Sequence, residues 1–191
     1  MRNLLAATML VAVTSTISQA NAVTVLETLA SQCGKAFEGK VVRDTENSAA
    51  WAEARIVMHV RDCGAEQIKI PLHVGDNRSR VWVLTRLDSD KVQLKHDHRH
   101  EDGHSDDVTM YGGIADAADA PILSFPVDQE SITMFEANGL SASVRNTWHM
   151  RTTGDVFQYQ LTRPSGRDFI VEFDLTKPVP APPAAWDMQG H

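Results

Sequence analysis

Between Leu94 and Asp107 the chain reads LKHDHRHEDGHSDD, which places four of its eight histidines and five carboxylates within fourteen positions. Neutral imidazole is a preferred ligand for zinc, copper and nickel, and a nearby carboxylate can share an ion or fix a histidine tautomer. Three chemistries suit this composition: transition-metal binding, acid–base catalysis, and a solvated polar hairpin whose histidines bond to neighbouring Asp and Glu. If the segment is a strand, its period of two decides which side chains act together. Val92, Leu94, His96, His98 and His100 then share one face, and Gln93, Lys95, Asp97, Arg99 and Glu101 the other. The aliphatic pair marks the inward side, so His96 and His98 are expected to point into the fold or its mouth. Imidazoles at i and i+2 on a strand have Cβ atoms about 7 Å apart, close enough to converge on one ion.

Asp102-Gly103 is the natural place for the chain to turn back, because glycine tolerates positive φ. A two-residue turn opposes Glu101 to His104 and His98 to Asp107. A loop one residue longer returns His104 to the face of the other three histidines, together with Val108 and Met110. The spacing leaves both registers open. The metal set this predicts is His96, His98, His100, His104 and Asp107, with zinc or copper as the ion. Aligning Gly103 with the glycine of an EF-hand loop puts His98 and His100 where Asp or Asn should stand, and no H-E-x-x-H occurs.

Other candidates are thinner. GDNRSR sets Arg78 and Arg80 beside a turn, where they can hold an anion or simply flank a strand. MYGG puts Tyr111 beside two glycines, which permit close backbone approach to a ligand or make a turn or bulge. Asn146, Trp148 and Met150 share a face that can line a pocket or fill a core. No G-x-S-x-G, Walker loop or dinucleotide fingerprint is present.

The elements that must position these residues are mostly strands. RIVMHVRDC, QIKIPLHV, SRVWVLTR, KVQLKHDHRH, VFQYQLTR and RDFIVEFDL alternate apolar and polar residues, with short turns such as LDSD and PSG between. Pro71 cannot donate a ladder hydrogen bond, which suggests an edge or a bulge at that point. TVLETLASQCG reads as an opening helix, with a Thr24–Glu27 capping box and a stop at Gly34. DQESITMFEANG predicts a second helix near 128–138, capped by Asp128 and ended at Gly139. The expected fold is mainly β: one antiparallel up-and-down barrel over residues 23–176, with a Pro-rich tail over 177–191.

Residues 1–22 read as a signal peptide: Arg2, an apolar run, then ANA at the cleavage position. No cysteine follows that position, so a lipid anchor is not expected. Taking 22 residues from the 191 leaves 169, with 17 basic and 25 acidic side chains, a net charge of −8. That balance argues against nucleic acid and anionic membranes as partners. Cys33 and Cys63 are the only two cysteines, and in an oxidising compartment they are expected to pair. Closing that loop would stabilise the fold by about 3–4 kcal/mol.

The opening helix followed by GKAFEGKVV resembles the entry to a lipocalin-type barrel, where a helical turn leads into a Gly-containing first strand. The likeness covers Cys33 to Val42 and the strand rhythm, with Phe37 nearest to the tryptophan that family carries there. It implies a closed barrel with room for a ligand. The chain as a whole resembles an uncharacterised secreted family of proteobacteria carrying LKHDHRHEDG and MYGG, which implies export, to the periplasm or beyond, and no particular activity. Three functions follow as expectations. The first is an exported binding module for a transition metal or small molecule. The alternatives are a metal-assisted hydrolase or isomerase, and a cell-envelope structural or interaction protein.

Overall fold

The computed structural model describes residues 24–87, 90–116 and 118–186. The expected signal peptide and the last residues of the tail lie outside the described residues. The capping box closes: Glu27 N–H donates to Thr24 Oγ1 at 3.2 Å, and Glu27 Oε2 accepts from the Thr24 amide at 3.0 Å. Helix α1 (Val25–Ser31) starts there and buries Val25, Leu26 and Leu29.

Eleven strands follow among the described residues: β1 (Ala36–Asp44), β2 (Ile56–His59), β3 (Asp62–Cys63), β4 (Gln67–Val74), β5 (Asn77–Arg86), β6 (Val92–His98), β7 (Tyr111–Ala115), β8 (Ile122–Pro126), β9 (Thr147–Thr153), β10 (Val156–Thr162) and β11 (Asp168–Val179). Helix α2 (Ala49–Ala52) sits between β1 and β2. Helix α3 (Gln129–Ala137) and a 3-10 turn (Ser141–Arg145) sit between β8 and β9. Ten strands run in the order β7-β6-β5-β4-β2-β1-β11-β10-β9-β8, and β3 attaches to β4. All neighbours are antiparallel, and β1 joins the two halves by pairing with β11. The outer strands β7 and β8 meet through a single bridge, Gly113 to Val127, and through the Asp128 amide, which donates to Gly112 O at 2.9 Å. The result is the expected up-and-down barrel, nearly closed.

Alternation fills the interior. Ile70 and Leu72 of β4, Trp82 and Leu84 of β5, Val92 and Leu94 of β6, and Phe157, Val171 and Phe173 on β10 and β11 are all buried in one core. Burying a side chain of this size contributes about 1.5–3 kcal/mol, so the rows fix which way each strand faces. The strand expected over RIVMHVRDC is two strands. At Val60 the chain bonds instead to the α1–β1 connection, through Val60 N–H to Lys35 O at 2.9 Å. Pro71 lies opposite this break: β4 pairs with β2 from Leu72 onward and with β3 up to Lys69, so no partner asks Pro71 for an N–H.

The glycines of MYGG have a structural cause. A Cβ at Gly112 would sit 1.7 Å from Leu94 O, and one at Gly113 would sit 1.9 Å from Pro126 O. They let β7 squeeze between the backbones of β6 and β8; the close approach is to protein, not to a ligand. Outside the same seam, Lys95 Nζ reaches Asp128 Oδ2 and Glu130 Oε2, each at 2.9 Å. Asp128 also caps α3, accepting from the Ser131 amide at 2.9 Å.

Cys33 and Cys63 form a disulfide that ties the end of α1 to β3. The last strand runs on to Val179, past the body–tail boundary expected at Thr176. The tail then crosses the outer wall of β5, where Arg78 Nη1 donates to Ala184 O at 3.0 Å and Ala185 packs on Val81 and Val83. Among the described residues, no helix is long and apolar enough to cross a membrane.

Candidate functional site

The expected inward orientation holds for the first two histidines of the tract. His96 is 4% exposed, and its ring stacks on Tyr111 with centroids 4.8 Å apart. Its Nδ1 lies 3.1 Å from Tyr111 O and its Nε2 lies 2.8 Å from Tyr159 Oη. His98 is half-buried, with Nε2 2.9 Å from Tyr111 Oη. Burial holds both rings neutral: the His96 pKa falls to about 3 and that of His98 to about 4.

The rest of the tract leaves the barrel. Arg99 bridges Ser105, and the His100 amide donates to His104 O at 2.9 Å, so the tip is the longer loop, turning at Gly103 with φ +86°. His100, His104 and Asp107 are exposed there, and His104 Nδ1 lies 3.1 Å from Asp102 Oδ2. His98 O faces the Asp106 amide at 3.0 Å rather than Asp107, which excludes the two-residue register. The predicted set of His96, His98, His100, His104 and Asp107 is therefore split between the cavity wall and the solvated tip. Among the described residues, no group of three or more His, Cys, Asp or Glu side chains is placed to hold a metal ion. Both nitrogens of His96 are already bonded within the protein, to Tyr111 O and Tyr159 Oη.

What the two histidines line instead is a cavity of about 240 Å³ at the barrel mouth that α3 and the 3-10 turn partly cover. Its walls are aromatic. Trp82 stacks on Tyr159 at 4.4 Å, Trp148 tilts against Tyr111 at 5.7 Å, and Phe135 of α3 meets Tyr111 at 5.2 Å. Trp51, carried by α2, leans over the opening against Phe169 at 5.0 Å. Burial raises the Tyr111 pKa to about 12 and lifts that of Tyr159 well above its ordinary value, so both phenols keep their protons.

Three arginines also reach this space, and their partners differ. Arg167 pairs with Asp44, and lies 3.6 Å from Glu46; Arg163 lies 3.7 Å from Glu46 and donates to Asn146 Oδ1 at 2.5 Å. Arg80, at the inner end of the row that continues to Trp82, donates to Asn77 Oδ1 at 2.9 Å and lies over the Trp51 ring at 5.6 Å. Among the described residues it forms no ion pair with a carboxylate. Burial pulls its pKa down, and the titratable groups facing it are the protonated phenols of Tyr111 and Tyr159. A guanidinium does not lose its proton in a protein, so the cavity carries one uncompensated positive charge.

Sequence reasoning finds part of this wall. Arg80 belongs to the GDNRSR segment singled out for an anion, and Asn146 and Trp148 line the cavity while Met150, on the same face, is fully buried core. Tyr159 reads as one more core residue of VFQYQLTR; the signal is that, between Phe157 and Leu161 on that inward face, it carries a polar atom. Trp51, Arg163 and Arg167 come from a loop helix and the β10–β11 turn, where no period points inward. No protein-family model, curated protein or solved structure matches this chain. The site is thus read from its own geometry.

Proposed function

We propose that this protein is an exported binding module that holds a small, flat, largely apolar molecule by its acidic group, with the acid against Arg80 and the ring among the aromatic side chains. The observation that carries the reading is Arg80: a partly buried guanidinium facing an aromatic cavity with no carboxylate paired to it among the described residues. Such a charge is costly to leave without a counter-ion, and an anionic ligand supplies one. A benzene-sized molecule occupies a cavity of ~150 Å³, so by that scale the volume here suits a ligand of about ten non-hydrogen atoms. Export is supported by the leader-like residues 1–22 and is compatible with the Cys33–Cys63 disulfide, a bond that persists in oxidising compartments.

The test is binding of benzoate-sized aromatic acids, followed by calorimetry and by quenching of intrinsic tryptophan fluorescence, since Trp51, Trp82 and Trp148 line the cavity. The acids should bind and their neutral amides should bind at least tenfold more weakly. Arg80→Gln should weaken the acids by roughly ten- to a hundredfold, the range of one charge-assisted hydrogen bond, and leave the amides nearly unchanged. Equal affinity for acids and amides, or no effect of the substitution, would remove the reading.

A further inference from the structure

The proton bookkeeping around His96 narrows the ligand further. Nδ1 of His96 faces the Tyr111 carbonyl at 3.1 Å, and a carbonyl oxygen only accepts, so Nδ1 must carry the hydrogen. In a neutral imidazole the other nitrogen is then a bare acceptor. Nε2 of His96 lies 2.8 Å from Tyr159 Oη, so the phenol must donate to it. Tyr159 has one hydroxyl hydrogen, and this contact uses it. What Tyr159 can offer the cavity it lines is lone pairs alone. The Trp82 ring stacks on the Tyr159 ring with centroids 4.4 Å apart. Arg80 is the reverse case, a group that only donates.

From these two facts we infer that the preferred ligand is an aromatic acid that also carries a hydroxyl or N–H donor: the acid accepts from Arg80, and the donor is received by Tyr159 Oη. This rests on the anion-binding reading above and adds to it the second polar group. A ligand with an ether or a bare ring edge at that place would leave the lone pairs of the Tyr159 oxygen desolvated without a donor, which costs about 1–3 kcal/mol.

The experiment compares hydroxybenzoate, aminobenzoate, methoxybenzoate and benzoate on the full chain, using meta and para isomers to sample two spacings between the groups. In at least one isomer series the hydroxy or amino acid should bind about tenfold tighter than its methoxy counterpart. Tyr159→Phe should collapse that ratio to below about threefold while leaving methoxybenzoate affinity nearly unchanged, a pattern that a general loss of packing would not give. If that variant does not fold, the wild-type ratio alone decides. Equal binding of the hydroxy and methoxy acids in both series would overturn the inference and leave the anion site standing. Failure of every acid to bind would instead remove the underlying reading of Arg80.

Discussion

Lys95 Nζ lies 2.9 Å from Asp128 Oδ2, an ion pair that reaches across β7 to join β6 to the start of α3. Lys95 is 8% exposed at its side chain and Asp128 is 22% exposed. Burial disfavours the lysine charge, yet the hydrogen bonds it donates to Asp128 and Glu130 outweigh it and raise the pKa. This pair braces the seam between β7 and β8, where the ladder among the described residues is reduced to a single bridge.

Replacing Lys95 with Met should therefore cost about 3 kcal/mol in urea unfolding, because it leaves a partly buried carboxylate without its counter-ion. Asp128→Asn keeps an acceptor for the Ser131 amide and isolates the charge. A double-mutant cycle of the two should show coupling above about 1 kcal/mol; a value near zero would reduce the pair to an ordinary surface contact.

The glycines of the same seam make a sharper case. Alanine at Gly112 or Gly113 would drive a methyl into main-chain oxygens, 1.7 Å from Leu94 O and 1.9 Å from Pro126 O. Neither atom can swing aside as a side chain can. Each substitution is expected to cost more than about 4 kcal/mol or to prevent folding. Gly154→Ala, at φ +56° with nothing within 4 Å, should lose only about 1–2 kcal/mol from its left-handed backbone. Similar losses at all three positions would mean that the seam is not tight.

Stability should fall between neutral and mildly acidic pH through His96. Its ordinary pKa of 6.5 applies to the unfolded chain, while burial, opposed by the Tyr111 carbonyl bond, takes it to about 3 in the fold. Below pH 6.5 the unfolded chain gains a proton that the native ring refuses, so stability is full above that pH and drains away below it. At pH 5 the loss from this one group should be about 2 kcal/mol relative to pH 7. Denaturation of wild type and His96→Gln at the two pH values checks this. The gap between them should shrink by about that amount on acidification, and parallel curves would contradict the assigned burial.

Zinc and copper provide a separate check on the histidine tract. Because His96 and His98 point inward and are bonded to tyrosines, the double variant H96Q/H98Q should give the same metal titration as wild type. A stoichiometric site that disappears in that variant would show that the side chains rearrange around an ion.

The legible part of this protein was set by period and punctuation. Alternation in QIKIPLHV and VFQYQLTR, the helix caps at Thr24 and Asp128, and the glycine stops depend on residues close in the chain, so barrel and helices follow from local pattern. The same alternation turned His96 and His98 inward. It failed at His100 because a strand's period holds only while the strand remains in the barrel wall, and β6 ends at His98. Trp51, Tyr159, Arg163 and Arg167 come together only through closure of the sheet, with β1 meeting β11 far along the chain. Whether Arg80 has a counter-charge is likewise a property of the assembled mouth. No local spacing encodes it.

The path of the tail has a practical side. Ala185 seals Val81 and Val83 on the outer wall of β5, and Arg78 grips the chain at Ala184. A protein ending at Val179 would present that valine pair as a bare sticky stripe beside the hairpin. Shortened versions should be watched for clumping before any lost binding is blamed on the mouth of the barrel.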